Sequence, residues 1–284
     1  MIAFLNGKFV AEEKAAVSVR DRGFLYGDGL FEGLLVKHGR PFGWDQHMER
    51  LADGIAFLKL TLPYAPEQLH GFALELVKRN RMPGCILRLS LSRGITARGY
   101  SPQGAVNPAV VMTLHPLPVS DGKRMARWRV ITSTFRLPVN DPLTRFKTAN
   151  KLPQVLARAE ADSAGAQEAI LLNTAGYLAE GTTSNVFWVE KDVICTTPLA
   201  SGALPGVTRR AVLELCVKTN LPWREKKVRP AALHLALGAF LTMTSMGVVE
   251  IESLDNRPLR RSPLVKELWR AYQTMLLEHS QDDA

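Results

Sequence analysis

Lys147 is the residue of this sequence whose type and setting are best suited to covalent chemistry. It lies just before a predicted helix over residues 152–166, in which Pro153 is acceptable because the first turn needs no N–H donor. A primary amine forms an imine with an aldehyde once it has lost its proton, and burial and cationic neighbours promote that loss. Arg145 supplies a nearby cation and Phe146 an apolar neighbour. Imine chemistry at Lys147 is therefore the first hypothesis.

Two segments downstream of Lys147 form a pattern with it. They read Tyr177-Leu-Ala-Glu-Gly-Thr-Thr-Ser-Asn-Val-Phe and Leu204-Pro-Gly-Val-Thr-Arg. Together with Lys147 they resemble the class IV aminotransferase family, the pyridoxal-phosphate enzymes of fold type IV. That family contains branched-chain aminotransferases, D-amino acid aminotransferases and aminodeoxychorismate lyases. The resemblance extends over nearly the whole chain and implies pyridoxal 5′-phosphate as the cofactor.

The resemblance implies a role for each reactive residue around the cofactor ring. Lys147 would form the imine with the cofactor's aldehyde and move a proton at the substrate carbon. Lys151 is the rival amine, but the family pattern of Lys, two residues and Asn selects Lys147, with Asn150 as its partner. Glu180 matches the carboxylate that keeps the pyridine nitrogen protonated, which makes the ring a strong electron sink. Asn185 would support the oxygen side of the cofactor or the local turn.

The phosphate of such a cofactor needs backbone N–H groups and a cation. Gly206, Val207 and Thr208 open a predicted helix and would supply N–H groups and a hydroxyl. Arg50 matches the phosphate-binding arginine of the family, although by type alone it would be a solvated residue on a helix. The resemblance places a further phosphate contact at Thr242 and Thr244.

The residues expected on the substrate side point to two different members of the family. Residues 93–101 contain Arg98-Gly-Tyr-Ser, which resembles the aminodeoxychorismate lyases. Arg98 also matches the arginine that holds the substrate carboxylate in D-amino acid aminotransferases, a role suited to a bidentate guanidinium, with Tyr100 in place of their histidine. Phe31 is assigned to the substrate side as well. Gly33 stands where the lyases carry a threonine for proton transfer, and glycine has no side chain to relay a proton.

We therefore predict a transaminase that moves an amino group between a small amino acid, D- or branched-chain amino acids included, and a 2-oxo acid. The alternative is 4-amino-4-deoxychorismate lyase, which makes 4-aminobenzoate and pyruvate, because Lys147 could relay the proton alone. The net charge of +9 raises a more distant alternative, a non-catalytic protein that binds anions or nucleic acid. The basic residues are scattered and no nucleic-acid motif is present, so the sequence disfavours a nucleic-acid partner.

Strands and helices are mixed without regular alternation, which favours an α+β fold over a doubly wound sheet. Residues 31–36 form a predicted strand, and Asp45 can cap a helix that ends near residue 58 and carries Arg50. The segment 118–126 is rich in Pro, Gly and charge and is the predicted linker. It would separate a smaller N-terminal α+β domain, residues 1–117, from a larger C-terminal cofactor-binding domain, residues 127–284.

Composition and cysteine usage indicate where such an enzyme would work. No uninterrupted apolar run of about 18 residues is present, so no membrane span is predicted. The N-terminus reads as a strand and a turn and not as a signal peptide. Cys85, Cys195 and Cys216 have neither disulfide-framework nor zinc-site spacing, so we expect no metal and a reduced, cytoplasmic setting. The resemblance further implies a homodimer.

Overall fold

The computed structural model describes residues 1–118 and 124–278. The chain divides into two compact units. Residues 1–117 and Phe146–Asn150 belong to the first unit, and the flanking Pro118–Arg145 and Lys151–Glu278 belong to the second. The predicted linker, residues 118–126, falls largely on residues 119–123, which lie outside the described residues. The predicted domain boundaries therefore stay predictions, and they did not anticipate the return of Phe146–Asn150 to the first unit.

The first unit is built on an antiparallel sheet with the strand order β2-β1-β6-β5-β3-β4. Asn6 and Gly7 connect the first two strands with φ angles of 46° and 85°, a backbone conformation that suits these residue types. The described elements of this unit are β1 Ile2–Leu5, β2 Lys8–Ala11, α1 Arg22–Tyr26, β3 Gly29–Lys37, β4 Arg40–Pro41, α2 Trp44–Leu58, α3 Pro66–Asn80, β5 Cys85–Ser92 and β6 Val110–His115.

One face of this sheet forms the core of the first unit together with α2 and α3. Its buried residues include Leu30 and Leu34 of β3 and Leu87 of β5, which meet Leu51 of α2 and Leu69 of α3. Because side chains alternate along a strand, the residues adjacent to these positions lie on the other face of the sheet. Strands β3 and β5 therefore have one face in this core and an opposite face outside it.

Helix α2 begins one residue before the predicted cap. Gly43 is its N-cap residue, with φ 63°, and Asp45 lies inside the first turn. The prediction that Asp45 caps the helix is wrong. A carboxylate in the first turn still stabilises the helix, because it faces the positive end of the helix dipole.

The second unit is built on a larger mixed sheet with the strand order β12-β11-β10-β13-β14-β7-β8-β9, and β15 pairs with β14. Its buried aromatic residues include Phe187 and Phe240, whose rings stack with centroids 4.9 Å apart. The described elements of this unit are β7 Arg127–Leu137, α4 Leu152–Ser163, β8 Glu168–Asn173, β9 Leu178–Gly181, β10 Asn185–Glu190, β11 Val193–Thr196, α5 Val207–Lys218, β12 Trp223–Glu225, α6 Ala231–Leu235, β13 Gly238–Met243, β14 Gly247–Leu254, β15 Arg257–Pro258 and α7 Pro263–Glu278.

Two features of the described chain bear on function class. The three cysteines are buried and form no disulfide. No helix in residues 1–118 or 124–278 combines the length and the apolar character that a membrane span requires.

Candidate active site

The Lys147 segment lies along the edge of β3 like an additional strand. The N–H of Phe31 donates to the carbonyl of Lys147 at 2.9 Å, and Leu30 and Thr148 form an antiparallel bridge. The main chain on both sides of Lys147 is thereby fixed to β3, on the edge of that strand which β5 does not occupy.

Side chains on either side of Lys147 add to this anchoring. The ring of Phe146 stacks on that of Phe57, with centroids 4.4 Å apart. The amide of Asn150 donates to the carbonyl of Gly27 at 3.1 Å. Gly27 has φ +65°, and a Cβ there would collide with the side chain of Asn150. Asn150 thus holds the turn before β3 against the lysine segment, which fits the pairing of Lys147 and Asn150 in the family pattern.

The amine of Lys147 lies over an aromatic face. Its Nζ is 4.7 Å from the centroid of the Phe31 ring, and the guanidinium carbon of Arg88 is 4.0 Å from the same centroid. Phe31 and Arg88 lie on the face of β3 and β5 opposite the core. This face therefore combines a primary amine, an apolar aromatic surface and a guanidinium.

A cavity of about 260 Å³ opens on this face of the first unit. Its lining includes Phe31 and Arg88, together with Ser90 of β5, Phe24 of α1 and Ala149. This volume is slightly below the usual range of cavities for drug-sized ligands, so it suits a small ligand.

Arg50, the predicted phosphate ligand, is paired with a buried carboxylate. Its Nε and Nη2 donate to the two oxygens of Glu32 at 2.8 and 2.5 Å, and Nδ1 of His47 lies 2.7 Å from Glu32. Burial opposes ionisation of Glu32, but the charge of Arg50 and the hydrogen bond with His47 outweigh it and lower the pKa of Glu32 to about 2. Burial lowers the pKa of His47, so its ring is neutral at neutral pH. The phosphate role of Arg50 stays a prediction.

In the second unit, Glu180 is a buried carboxylate at the end of β9 with both oxygens held by donors. The N–H of Leu204 donates to Oε2 at 2.9 Å, and Nε2 of Gln154 donates to Oε1 at 3.2 Å. The amide of Asn185 donates to the carbonyl of Leu204 at 2.8 Å. Both polar groups of Leu204 are therefore bound by residues of the Glu180–Asn185 motif, which brings the two sequence motifs together.

The turn between Glu180 and Asn185 is held by another buried carboxylate, that of Glu168 in β8. This carboxylate accepts hydrogen bonds from the hydroxyls of Thr182 and Ser184, and from the N–H of Thr182. Neither Glu168 nor Gln154 was predicted from the sequence. The consecutive hydroxyl residues after Glu180 were the signal for Glu168, since buried hydroxyls require a partner.

The start of α5 provides the expected N–H donors. Gly206 is its N-cap residue and no side chain caps the helix, so the N–H groups of Val207 and Thr208 in the first turn have no intrahelical acceptor. The hydroxyl of Thr208 is hydrogen-bonded to the buried Tyr272. Thr208 can therefore offer its backbone N–H to an anion more readily than its hydroxyl.

Thr242 lies directly opposite Asn185 in the register of β13 and β10. Its hydroxyl oxygen is buried and has no hydrogen-bond partner within the described part of the chain. A buried hydroxyl without a partner indicates a ligand or water that supplies one. Thr244 follows the end of β13 and is partly exposed.

Arg98 and Tyr100 lie in the loop after β5. Arg98 is exposed, and Tyr100 is 86% exposed with its ring 5.4 Å from that of Tyr26. Their assignment to the substrate carboxylate stays a prediction.

These features fit the parts of pyridoxal 5′-phosphate. The amine of Lys147 suits the aldehyde, the carboxylate of Glu180 suits the ring nitrogen, and the start of α5 with the hydroxyl of Thr242 suits the phosphate. Lys147 belongs to the first unit, and Glu180, the start of α5 and Thr242 belong to the second. Within the described ranges, no group of three or more His, Cys, Asp and Glu residues could hold a metal ion.

Comparison with known proteins places the chain in a family. The family model described as "Amino-transferase class IV" matches residues 29–254. A putative branched-chain-amino-acid aminotransferase of Methanocaldococcus jannaschii is 34% identical over 257 residues, which cover 90% of this chain and 89% of the relative. A D-alanine aminotransferase of Bacillus licheniformis is 29% identical over 283 residues, 99% of each chain.

Solved structures give the same result. The branched-chain aminotransferase of Escherichia coli matches with a TM-score of 0.91 and 26% identity, over 99% of this chain and 96% of that chain. The 4-amino-4-deoxychorismate lyase of Pseudomonas aeruginosa matches with a TM-score of 0.84 and 29% identity, over 96% and 98%. The predicted α+β fold of type IV is confirmed. Enzymes of this family use pyridoxal 5′-phosphate. The chain belongs to the class IV aminotransferase family.

Proposed function

We propose that this protein is a pyridoxal 5′-phosphate-dependent transaminase that moves an amino group between a small amino acid and a 2-oxo acid. The observation that carries the proposal is the anchoring of Lys147 on the edge of β3, with its amine over the ring of Phe31. The cofactor, when bound, supplies the electron sink for charge that develops at the substrate's α-carbon.

Each of these residues has a separate role in the proposed reaction. Lys147 attaches the cofactor and moves the proton to and from the α-carbon. Glu180 holds the proton on the ring nitrogen, and its two donors, Leu204 and Gln154, keep its carboxylate in one orientation. The N–H groups at the start of α5 and the hydroxyl of Thr242 hold the phosphate, with Arg50 as the cation.

The substrate side of the proposal rests on charge and size. Arg98 binds the α-carboxylate of the substrate through its guanidinium. The cavity of about 260 Å³ beside Phe31 accepts a small side chain, so both D-alanine and branched-chain amino acids are test substrates. Arg88 in its lining adds a positive charge on the same face.

Aminodeoxychorismate lyase is the second candidate, and the Arg98-Gly-Tyr-Ser run favours it. The observation against it is Gly33, where the lyases carry a threonine. A Cβ on Gly33 would meet no atom within 4 Å, so packing does not require glycine at this position. The missing relay group is therefore a property of the site and not a consequence of crowding.

An absorbance spectrum of the purified protein tests the proposal. We expect a yellow cofactor band that is absent from Lys147→Ala and that D-alanine or an L-branched-chain amino acid converts to a shorter-wavelength amine form. Conversion of the band with release of the 2-oxo acid supports transamination. Release of pyruvate from aminodeoxychorismate, with the band unchanged and no response to amino acids, supports the lyase instead. A protein without the band after addition of pyridoxal phosphate contradicts both.

We also propose that the protein is a homodimer in the cytoplasm. In the first unit, Phe24 and Leu25 of α1 are 74% and 49% exposed, which is unusual for neighbouring apolar side chains and suits a subunit contact. Light scattering after size-exclusion chromatography measures the oligomeric state. A dimer that Phe24→Ser converts to a monomer supports this assignment, and a wild-type monomer contradicts it.

A further inference from the structure

Arg22, the first residue of α1, is a buried arginine that binds a single loop. Its Nη1 donates to the carbonyls of Gly99 and Ser101 at 2.9 and 3.1 Å, and its Nη2 donates to the carbonyl of Tyr100 at 2.9 Å. Nη1 also lies 3.1 Å from the hydroxyl oxygen of Thr96. Arg22 is 4% exposed, although the loop that it binds lies at the surface.

The guanidinium of Arg22 is itself held from behind. Its Nε donates to the carboxylate of Asp28 at 2.7 Å, and Arg93 donates to the same oxygen at 2.7 Å. Burial opposes ionisation of Asp28, but the hydrogen bonds and charges of Arg93 and Arg22 outweigh it and lower the pKa of Asp28. Arg93 continues the network to the carbonyls of Leu58 and Lys59 at the end of α2, at 2.8 and 3.1 Å.

Arg98 lies inside the segment that this network holds, between Thr96 and Gly99. Main-chain carbonyls on its C-terminal side accept hydrogen bonds from one planar guanidinium, whose donors have fixed relative directions. Three carbonyls in sequence cannot bind such a group unless the backbone takes one conformation. The position of Arg98 therefore depends on a residue more than seventy positions earlier in the chain.

We propose that Arg22 is a positioning residue that fixes the loop of residues 96–101 and thereby holds Arg98 in place for the substrate carboxylate. This inference rests on the proposed function, in which Arg98 binds that carboxylate. Arg22 touches neither substrate nor cofactor in this scheme. It determines how much conformational entropy the loop loses when substrate binds, because a loop that is already ordered loses less.

The proposal predicts that the loss of Arg22 changes KM and kcat to different extents. We expect the loss of Arg22 to leave Lys147 and the cofactor-binding residues of the second unit in place, so that cofactor binding and kcat at saturating substrate persist. Substrate binding then has to order the loop, and KM rises. An increase of KM for the amino acid of about tenfold, with kcat within about twofold of wild type, is the expected result for Arg22→Met.

The experiment compares Arg22→Met with Arg22→Lys and with Arg20→Met as a matched control. Arg20 is exposed, lies two positions away and makes none of these loop contacts through its side chain. Mass spectrometry measures the rate of tryptic cleavage after Arg98 in the cofactor-loaded proteins, and steady-state kinetics give KM and kcat. We expect faster cleavage and a higher KM in both Arg22 variants and wild-type values in the control. Unchanged cleavage and unchanged KM in Arg22→Met overturn the proposal.

A double-mutant cycle with Arg98→Ala distinguishes positioning from general destabilisation. If Arg22 acts through Arg98, the KM of the double variant equals that of Arg98→Ala. The inference is overturned if the fold-increase in KM of the double variant equals the product of the two single fold-increases. It is also overturned if Arg98→Ala raises KM and Arg22→Met does not. If neither variant changes KM, the assignment of Arg98 and this inference both fail, while the transaminase proposal stands on the amine conversion of wild type. If wild type does not convert the cofactor band to the amine form, the transaminase proposal itself fails, and this result is obtained before any variant is made.

Discussion

A Cβ on residue 206 would collide with the side-chain oxygen of Asn185. Asn185 and residue 206 therefore fit together only because residue 206 is glycine. The same Asn185 side chain donates to the carbonyl of Leu204, and Leu204 donates to Glu180. A side chain on residue 206 would therefore disturb both Glu180 and the start of α5, to which we assign the ring nitrogen and the phosphate of the cofactor in the proposed function.

Gly206→Ala should weaken cofactor binding much more than it weakens the fold. The alanine Cβ displaces Asn185 and shifts the start of α5, and a Kd increase for pyridoxal phosphate of about tenfold corresponds to about 1.4 kcal/mol of lost binding free energy. Absorbance titration of the apoprotein measures this Kd. Gly71→Ala in α3 is the control, since a Cβ there meets no atom within 4 Å. Equal affinities in the two variants would contradict this account.

Glu180→Gln should retain the cofactor but lose turnover. Glutamine keeps the size of the side chain and an acceptor for the N–H of Leu204, but it removes the negative charge that, in the proposed function, keeps the pyridine nitrogen protonated. We expect kcat to fall by about 100-fold or more, the scale seen when one electrostatic stabiliser is removed from an active site. Cofactor content and kcat are measured on the same sample. Glu214→Gln, which breaks an exposed ion pair with Arg210 in α5, should leave both near wild type.

Gly33→Thr should fold normally and gain activity towards aminodeoxychorismate. The position has open space and lies in β3 opposite Arg88, where a β-branched residue is well accommodated. The new hydroxyl supplies a proton relay that glycine cannot. Pyruvate release is the measurement. Gly33→Val is the matched control, because valine has nearly the same shape without the hydroxyl, and activity gained equally by both variants would argue against a relay.

The stability of the first unit should depend on pH through Glu32. Its folded-state pKa of about 2 lies below the ordinary value of 4.5, so its stabilising contribution is present above pH 4.5 and is lost as the pH falls towards 2. A shift of this size corresponds to on the order of 3 kcal/mol at neutral pH. Urea unfolding of wild type and Glu32→Gln at pH 7 and pH 3 measures the difference.

In Glu32→Gln this acid-labile contribution is absent, so the variant should lose less stability between pH 7 and pH 3 than wild type does. Glu75→Gln is the control, because Glu75 forms an exposed pair with Arg79 in α3 and such pairs contribute little. An equal loss of stability in Glu32→Gln and wild type would show that Glu32 is not the group responsible.

Local sequence patterns were sufficient for most elements that carry the site. A helix over residues 152–166 was predicted, with Pro153 in its first turn, and α4 begins at Leu152 and ends three residues earlier than predicted, at Ser163. Gly206 was predicted to open a helix, and it is the N-cap residue of α5. The cap of α2 was misassigned, because Gly43 with a positive φ does not carry the side-chain signal that usually marks a helix start.

Contacts between residues far apart in sequence could not be predicted from local sequence patterns. The motif residues Lys147 and Glu180 were identified by their pattern, but the pattern did not contain the partners Glu32, His47 and Gln154. These partners are set by strand register and helix orientation, which bring together residues far apart in sequence. Arg50 was assigned to a phosphate from the pattern, which did not predict its pairing with Glu32.

The return of Phe146–Asn150 to the first unit limits how this protein can be recombined with its relatives. A chimeric gene joined near residue 117 would take β3 from one parent protein and the Lys147 segment from the other. Two contacts would then join residues from different parent proteins. They are the hydrogen bond from Phe31 to the carbonyl of Lys147 and the stacking of Phe57 on Phe146. Functional chimeras should therefore be those in which residues 146–150 are inherited together with residues 27–57, even though the gene separates them.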